Sequence, residues 1–350
     1  MKLKQFKLAA LGAIAVAAFA QAGAQAALAQ ETLVINSFGG SYEKTHRDLV
    51  ITPFEEKYNV KVEVITAYSA DTLAQLKAQK DNPKFDVVHF SGGLEHAAAA
   101  EGLLAPIKPE ELSNYSQMYP FAVAELDKGV GPTYSTAVIG LLYNTEKVTT
   151  APTSWKDLAK PEFAGHVLLT DAASNTYGML GMLMINKVSG GTLDDIQPGL
   201  DFVKGILPNA TVVAKSPEIQ QNFAQGNAWI APYAQDYAFT LTTAGLPVKF
   251  VQPDEGGVLA PITVNLVAGA KHRDLALKFI DFSIRAEASR GWAEALRYSP
   301  TNRTAEISPE LASEVVYGEA EAAKLVTFDA NVVAEKRPSW NEAWSRTIAK

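Results

Sequence analysis

Two aspartates, one serine-glycine turn and a scatter of tyrosines are the residues of this 350-residue chain that bear on chemistry. Asp171 ends the apolar run "VLLTD" and opens "DAASNTYG". A carboxylate there either faces a ligand amine or caps the helix that follows. In "AWIAPYAQDYAF", Tyr233 and Asp236 offer an aromatic face and a carboxylate at a second strand-to-helix junction, a pairing that suits a cationic group. "FSGGLEH", residues 90–96, sets Ser91, Gly92 and Gly93 just before a helix. Oriented amides in such a turn accept a carboxylate, phosphate or phosphonate oxygen; the same residues also make an ordinary serine-capped turn. "INSFGGSYEK", residues 35–44, follows an apolar run, and its Gly39-Gly40 pair allows close backbone approach while Phe38 and Tyr42 supply aromatic surface. Tyr68 adds a further aromatic near these loops.

Catalytic vocabulary is missing. No G-x-S-x-G elbow presents a nucleophile, and "FGGSY" lacks the third glycine of a dinucleotide fingerprint. The histidines His46, His89, His96, His166 and His272 include no pair at helical metal-site spacing, although His89 and His96 flank one loop. No Tyr-Tyr pair of the kind used by ferric-ion receptors occurs. The pattern calls for binding, with no cofactor and no metal; an exported hydrolase or lyase is the alternative, and it would need a nucleophile-base pair.

Composition narrows the setting. Lys2, Lys4 and Lys7 precede an apolar run from Leu8 to Ala20 that is too short to span a bilayer, which predicts a secretory signal over residues 1–29 cleaved after Ala29, with Ala26 as second choice. Zero cysteines exclude disulfides, thiol chemistry and a lipid anchor, so the fold must stand on its core in the periplasm of a Gram-negative cell. The formal charge is -7, and loss of the three leader lysines takes it to -10, which speaks against nucleic acid.

The elements that must position these residues alternate. "TLVIN", a helix through "EKTHRDLVITPFEEKY", "VKVEVITA", a helix in "ADTLAQLKAQK" and "FDVVHF" read as βαβαβ, and the three loops at the strand ends converge on one edge. A second unit with the same grammar runs from "VLLTD" to the helix after Gln235. Two extended stretches, 129–144 and 257–270, link the units and predict hinged crossings that carry Thr136 and Thr263. On the last helix Trp340 and Trp344 stand at i and i+4 and read as a docking stripe.

"PTSWKDLAKPEFAGHVLLTD", residues 152–171, resembles a motif of extracellular solute-binding proteins, and more narrowly of the spermidine/putrescine-binding branch of ABC-importer receptors. "FDVVHFSGGLEH", "EGLLAPI", "STAVIGLLYN", "AGLPVKFVQPDEGG" and "LALKFIDFSIR" follow in the family order. The resemblance implies an α/β, two-lobe type II periplasmic binding protein, each lobe a mostly parallel sheet flanked by helices, with the ligand cleft between. Residues 30–136 with 262–305 would form lobe 1, and 137–261 with 306–350 lobe 2. It further implies a monomer that closes on a small organic solute and hands it to an inner-membrane ABC permease, or reports it to a chemosensor. Ser91 and Tyr298 match a cleft serine and tyrosine, and the loop bearing Phe38 and Tyr42 would lie over the ligand. The chain departs from the polyamine pattern where the family's acids fall on Ala172, Asn175 and Ile262, its later aromatic on Ala260, and a cleft tyrosine on Gly93. The expected ligand is therefore a polyamine by family, or, by these residues, a smaller amino compound with an acidic end: an amino acid, opine, aminophosphonate or thiamine-like cation.

Overall fold

The computed structural model describes residues 30–349, so the leader at 1–29 lies outside the described residues. Strand β1 (Thr32–Ser37) leads through the glycine pair into helix α1 (Gly40–His46), which passes by a π-turn at Arg47–Ile51 into α2 (Thr52–Tyr58). Gly39 and Gly40 have φ of 77° and 57°, a left-handed conformation that only glycine adopts without strain. Asn59, left-handed at φ 52°, ends α2 and turns the chain into β2 (Lys61–Thr66). Helix α3 (Ser69–Ala78), β3 (Val87–Ser91) and α4 (Leu94–Ala100) complete the first βαβ unit, with β1 parallel to both β2 and β3.

Next come β4 (Thr133–Asn144), β5 (Val167–Thr170), α5 (Thr176–Val188), α6 (Gln197–Ile206), β6 (Ala210–Val213), α7 (Ser216–Ala224), β7 (Ile230–Ala234) and α8 (Gln235–Thr243). After β8 (Val248–Val251) and β9 (Val258–Leu266) the chain finishes in α9 (Arg273–Ser283), α10 (Ala286–Leu296), α11 (Pro309–Ala312), α12 (Glu319–Ala322) and α13 (Ala330–Ile348).

The strand order is β2-β1-β3-β9-β4-β7-β5-β6, with β8 on the side of β4. Strands β4 and β9 are the two crossings expected from the extended stretches. The first half of β4 pairs antiparallel with β9, and its second half pairs with β7 and β8; β9 in turn pairs with β3. The sheets of the two lobes are thus joined edge to edge by this ladder instead of being separated by bare linkers. Gly131, at the entry to β4, could not be larger: a Cβ there would lie 2.0 Å from the Val264 carbonyl oxygen. A third strand of chain joins the crossing where Val326 donates to the Gly257 carbonyl and accepts from the Leu259 amide.

Apolar side chains gather on either side of this ladder. Leu33, Ile35, Phe54, Phe279 and Trp292 form the core under α1, α2, α9 and α10, while Trp155, Met182, Val203 and Phe223 centre the other. Trp340 and Trp344 are buried in the second core, so the C-terminal stripe docks as its spacing predicts. The segment at Leu311 and Val315 packs on Ala293 of α10.

Candidate functional site

Loops from both halves meet beside the β4–β9 ladder, and Tyr298 stands between them, packed on both cores. From the first half, Tyr42 stacks on Trp292 with ring centroids 4.8 Å apart and comes within 6.4 Å of Tyr298. Its hydroxyl meets that of Tyr134, and Phe38 leans on it at 5.1 Å. Tyr42 is therefore a fixed wall, held by stacking, more than a free lip. Tyr68, 67% exposed, stands away from this aromatic group.

From the second half, Asp236 stands in the first turn of α8. Its Oδ1 is shut off from solvent and has no hydrogen-bond partner. Burial pushes its carboxyl up to about 6, against the pull of the amides of Asp236 and Tyr237 at the helix start. Tyr177 and Tyr298 both feel its charge, which adds to the burial that raises their phenols. Tyr233 packs edge-on to Tyr177 at 5.5 Å and to Tyr237 at 5.2 Å, and its hydroxyl is fixed by Ser216 Oγ at 2.7 Å. A carboxylate left unpaired in such surroundings is costly unless a cation joins it, and tyrosine faces attract cations by their quadrupole.

Asp171 is placed otherwise. Its Oδ1 accepts from the Ala173 amide at 3.0 Å and from Trp344 Nε1 at 2.7 Å, and its Oδ2 accepts from Ser174 Oγ at 2.6 Å. Neither reading of its sequence position holds as stated: Asp171 does not cap the helix, which Asn175 does, and its carboxylate is spent on the turn before α5 and on Trp344. Asp171→Ala is expected to cost about 1–2 kcal/mol of unfolding free energy while ligand affinity stays within about threefold; denaturant unfolding alongside calorimetric titration measures both, and a tenfold affinity loss would restore Asp171 to the site. Asn175 caps α5, accepting from the Tyr177 and Gly178 amides at 2.9 and 3.2 Å.

Ser91 lies at the end of β3, where Ser69 Oγ takes its amide at 3.0 Å and the two hydroxyls stand 3.4 Å apart. Gly92 and Gly93 are left-handed at φ 77° and 88°. A Cβ on Gly93 would come within 3.0 Å of Ala330, so the start of α13 approaches this turn from across the molecule. Beneath it the Glu95 carboxyl is fully buried and raised by that burial. Thr136 and Thr263 lie inside the ladder: Thr136 Oγ1 donates to the Ala137 and Ala260 carbonyls at 2.8 and 3.1 Å, and Thr263 Oγ1 accepts from Asn265 Nδ2 at 2.9 Å. Both are structural to the crossing.

The structure thus brings together Tyr42, Tyr233, Asp236 and Tyr298, with Phe38 alongside, and ties down Asp171, Thr136 and Thr263. Sequence reading missed Tyr177, Tyr134 and Trp292. Tyr177 carried a signal, since it follows the Asn175 cap by two residues in a strand-end loop; Trp292 and Tyr134 looked like any core aromatics.

Ser37 Oγ is 3.5 Å from His46 Nδ1, but both residues are fully buried, so no substrate reaches them. His89 gives its Nδ1–H to the Asn36 carbonyl at 2.8 Å, and His96 pairs with Glu125. Among the described residues no group of three or more His, Cys, Asp or Glu side chains is arranged to hold a metal ion.

The chain is similar to a spermidine/putrescine-binding periplasmic protein of Escherichia coli, 29% identical over 287 residues, covering 79% of this chain and 81% of that one. A gamma-aminobutyric acid-binding protein of Pseudomonas aeruginosa is 26% identical over 316 residues, 85% of each chain. The crystal structure of an ABC transporter protein from Clostridium perfringens superposes with a TM-score of 0.80 at 23% identity over 90% of this chain and 99% of its own, which establishes the two-lobe fold. The family model described as bacterial extracellular solute-binding protein matches residues 50–317, and the chain belongs to that family.

Proposed function

We propose that the protein is the periplasmic receptor of an ABC importer for a small solute bearing one ammonium group, which it captures between its lobes and delivers to the membrane permease. Like its family it binds and does not catalyse. The observation that carries the ligand class is Asp236, an acid with a buried, partnerless oxygen among Tyr177, Tyr233 and Tyr298. Asp171 is occupied by Trp344 and Ser174, so the site has one acid to offer where a diamine spaced along the cleft wants two. A ligand resembling 4-aminobutyrate fits that count, and the relatives that bind polyamines and gamma-aminobutyric acid bracket it chemically. Its acidic end we assign to the hydroxyls of Ser69 and Ser91, which stand 3.4 Å apart at the end of β3. The lobes as we delimit them hinge on β4 and β9, and residues 1–29 serve as the export signal.

Native mass spectrometry of freshly purified protein, followed by thermal shift with 4-aminobutyrate, putrescine, spermidine, thiamine and an aminophosphonate, tests this reading. A monoamine that raises the midpoint by several degrees at millimolar concentration, while the polyamines do not, is the expected result. Tight binding of spermidine or putrescine with no response to 4-aminobutyrate would overturn the single-ammonium reading.

A further inference from the structure

Gln235 and Ser299 are the sequence neighbours of the two residues that define the site: one precedes Asp236, the other follows Tyr298. Both are almost fully buried. Gln235 Nε2 donates to Ser299 Oγ at 2.9 Å and to the Arg297 carbonyl at 2.8 Å. Ser299 also holds the crossing itself, since its amide donates to the Thr136 carbonyl at 2.8 Å and its Oγ accepts from the Val316 amide at 3.1 Å. Arg297 reinforces the junction. Its guanidinium lies over the Phe239 ring of α8, 4.1 Å from the centroid, and pairs with Glu314. Its backbone is left-handed at φ 59°, one of two such non-glycine residues among those described, and a strained conformation of that kind persists where its surroundings hold it.

A fully bonded amide at this point is informative because, among the described residues, no other hydrogen bond ties the start of α8 to the 297–299 segment. Asp236 belongs to a helix built on the second core, whereas Tyr298 leaves a helix built on the first. We propose that Gln235 and Ser299 are a positioning pair that locks the start of α8 to the Tyr298 segment at the hinge, so that lobe geometry sets the separation of Asp236 from the Tyr298 ring and thereby the ligand the acid accepts. The proposal rests on the reading of Asp236 as the ammonium partner. A side chain that merely filled the core would be replaceable by an apolar one of equal size without effect on the acid.

The test uses Gln235→Leu and Ser299→Ala in the full mature protein, with two measurements. Calorimetry gives affinity for 4-aminobutyrate and putrescine, and carbon-detected NMR of aspartate-labelled protein without ligand gives the Asp236 titration midpoint. Each variant is expected to lose tenfold or more in affinity for whichever probe the parent binds, and to move the Asp236 midpoint toward the ordinary aspartate range as water reaches the loosened helix start. Should both variants keep the parent's affinity and midpoint, the pair positions nothing and the proposal falls. If the parent binds neither probe, the ligand reading fails by itself, and the Asp236 midpoint still decides the pair: unchanged in both variants, it refutes the lock; shifted in both, it supports it. If one variant does not fold, the other decides.

Discussion

Asp236→Asn is expected to abolish high-affinity binding, with a loss of a hundredfold or more, while leaving the unliganded protein as stable as the parent or more so. The two effects have opposite signs for one reason. In the unliganded protein the carboxylate is buried with Oδ1 unpartnered, and the amides of Asp236 and Tyr237 offset only part of that burial, which is what lifts it to about 6. Because the folded pKa lies above the unfolded one, the stability linked to this group is fully present below about pH 4 and is lost as pH rises through about 6. At pH 7.5 the charged acid therefore costs the fold on the order of 1–2 kcal/mol, discounted for its partial contact with solvent, and the neutral amide removes that cost. Binding runs the other way. An ammonium ligand needs the charged form, so affinity of the parent should hold above pH 6.5 and fall toward tenfold per pH unit below 6, whereas any residual binding by Asp236→Asn should be flat over that window. Calorimetric titrations at half-unit pH steps, with urea unfolding of both proteins at pH 7.5, measure all of this. A variant that binds within fivefold of the parent would remove Asp236 from the site.

The second large effect comes from the histidines beneath the tyrosine wall. His46 and His89 stand edge to face with ring centroids 4.7 Å apart, fully buried, each with an Nε2 that has no partner. Tyr134, Phe279 and Trp292 surround His46, and the charges that reach it are His89 and Arg47, both of which disfavour its proton. Burial holds His46 well below its usual range and lowers His89 from 6.5 to about 4. For a histidine depressed by folding, the unfolded chain takes up the proton first. The stability linked to His89 is thus complete above about pH 6.5 and drains away as pH falls to about 4, a loss on the order of 3 kcal/mol from this residue alone. Asp236 and Glu95, raised by burial, oppose this trend, so the comparison must be made against a variant. In urea unfolding between pH 7 and 4, the parent should lose more stability than His89→Gln by about that amount. Parallel curves would falsify the assignment.

How much of this was legible beforehand depends on the range of the forces involved. The βαβ order, the crossings at β4 and β9 and the docking of Trp340 and Trp344 follow from local patterns: β-branched runs, helical spacing and glycines at turns that need positive φ. Tyr233, Asp236 and Tyr298 were visible as polar or aromatic residues at strand ends or in a family segment. Their number along the chain said nothing about company. Asp171 and Asp236 look alike in sequence, each an acid where a strand gives way to a helix.

Sequence by itself determined that the chain alternates strands and helices into two lobes joined by extended crossings, because period and turn chemistry act within a few residues. Only the tertiary structure decided which aspartate keeps a buried carboxylate oxygen without a partner. Trp344, 173 residues away, brings its indole N–H to Asp171 and satisfies it, while nothing comes to Asp236 Oδ1. A carboxylate's availability is set by the donors that folding delivers to it, and those donors arrive from any distance along the chain.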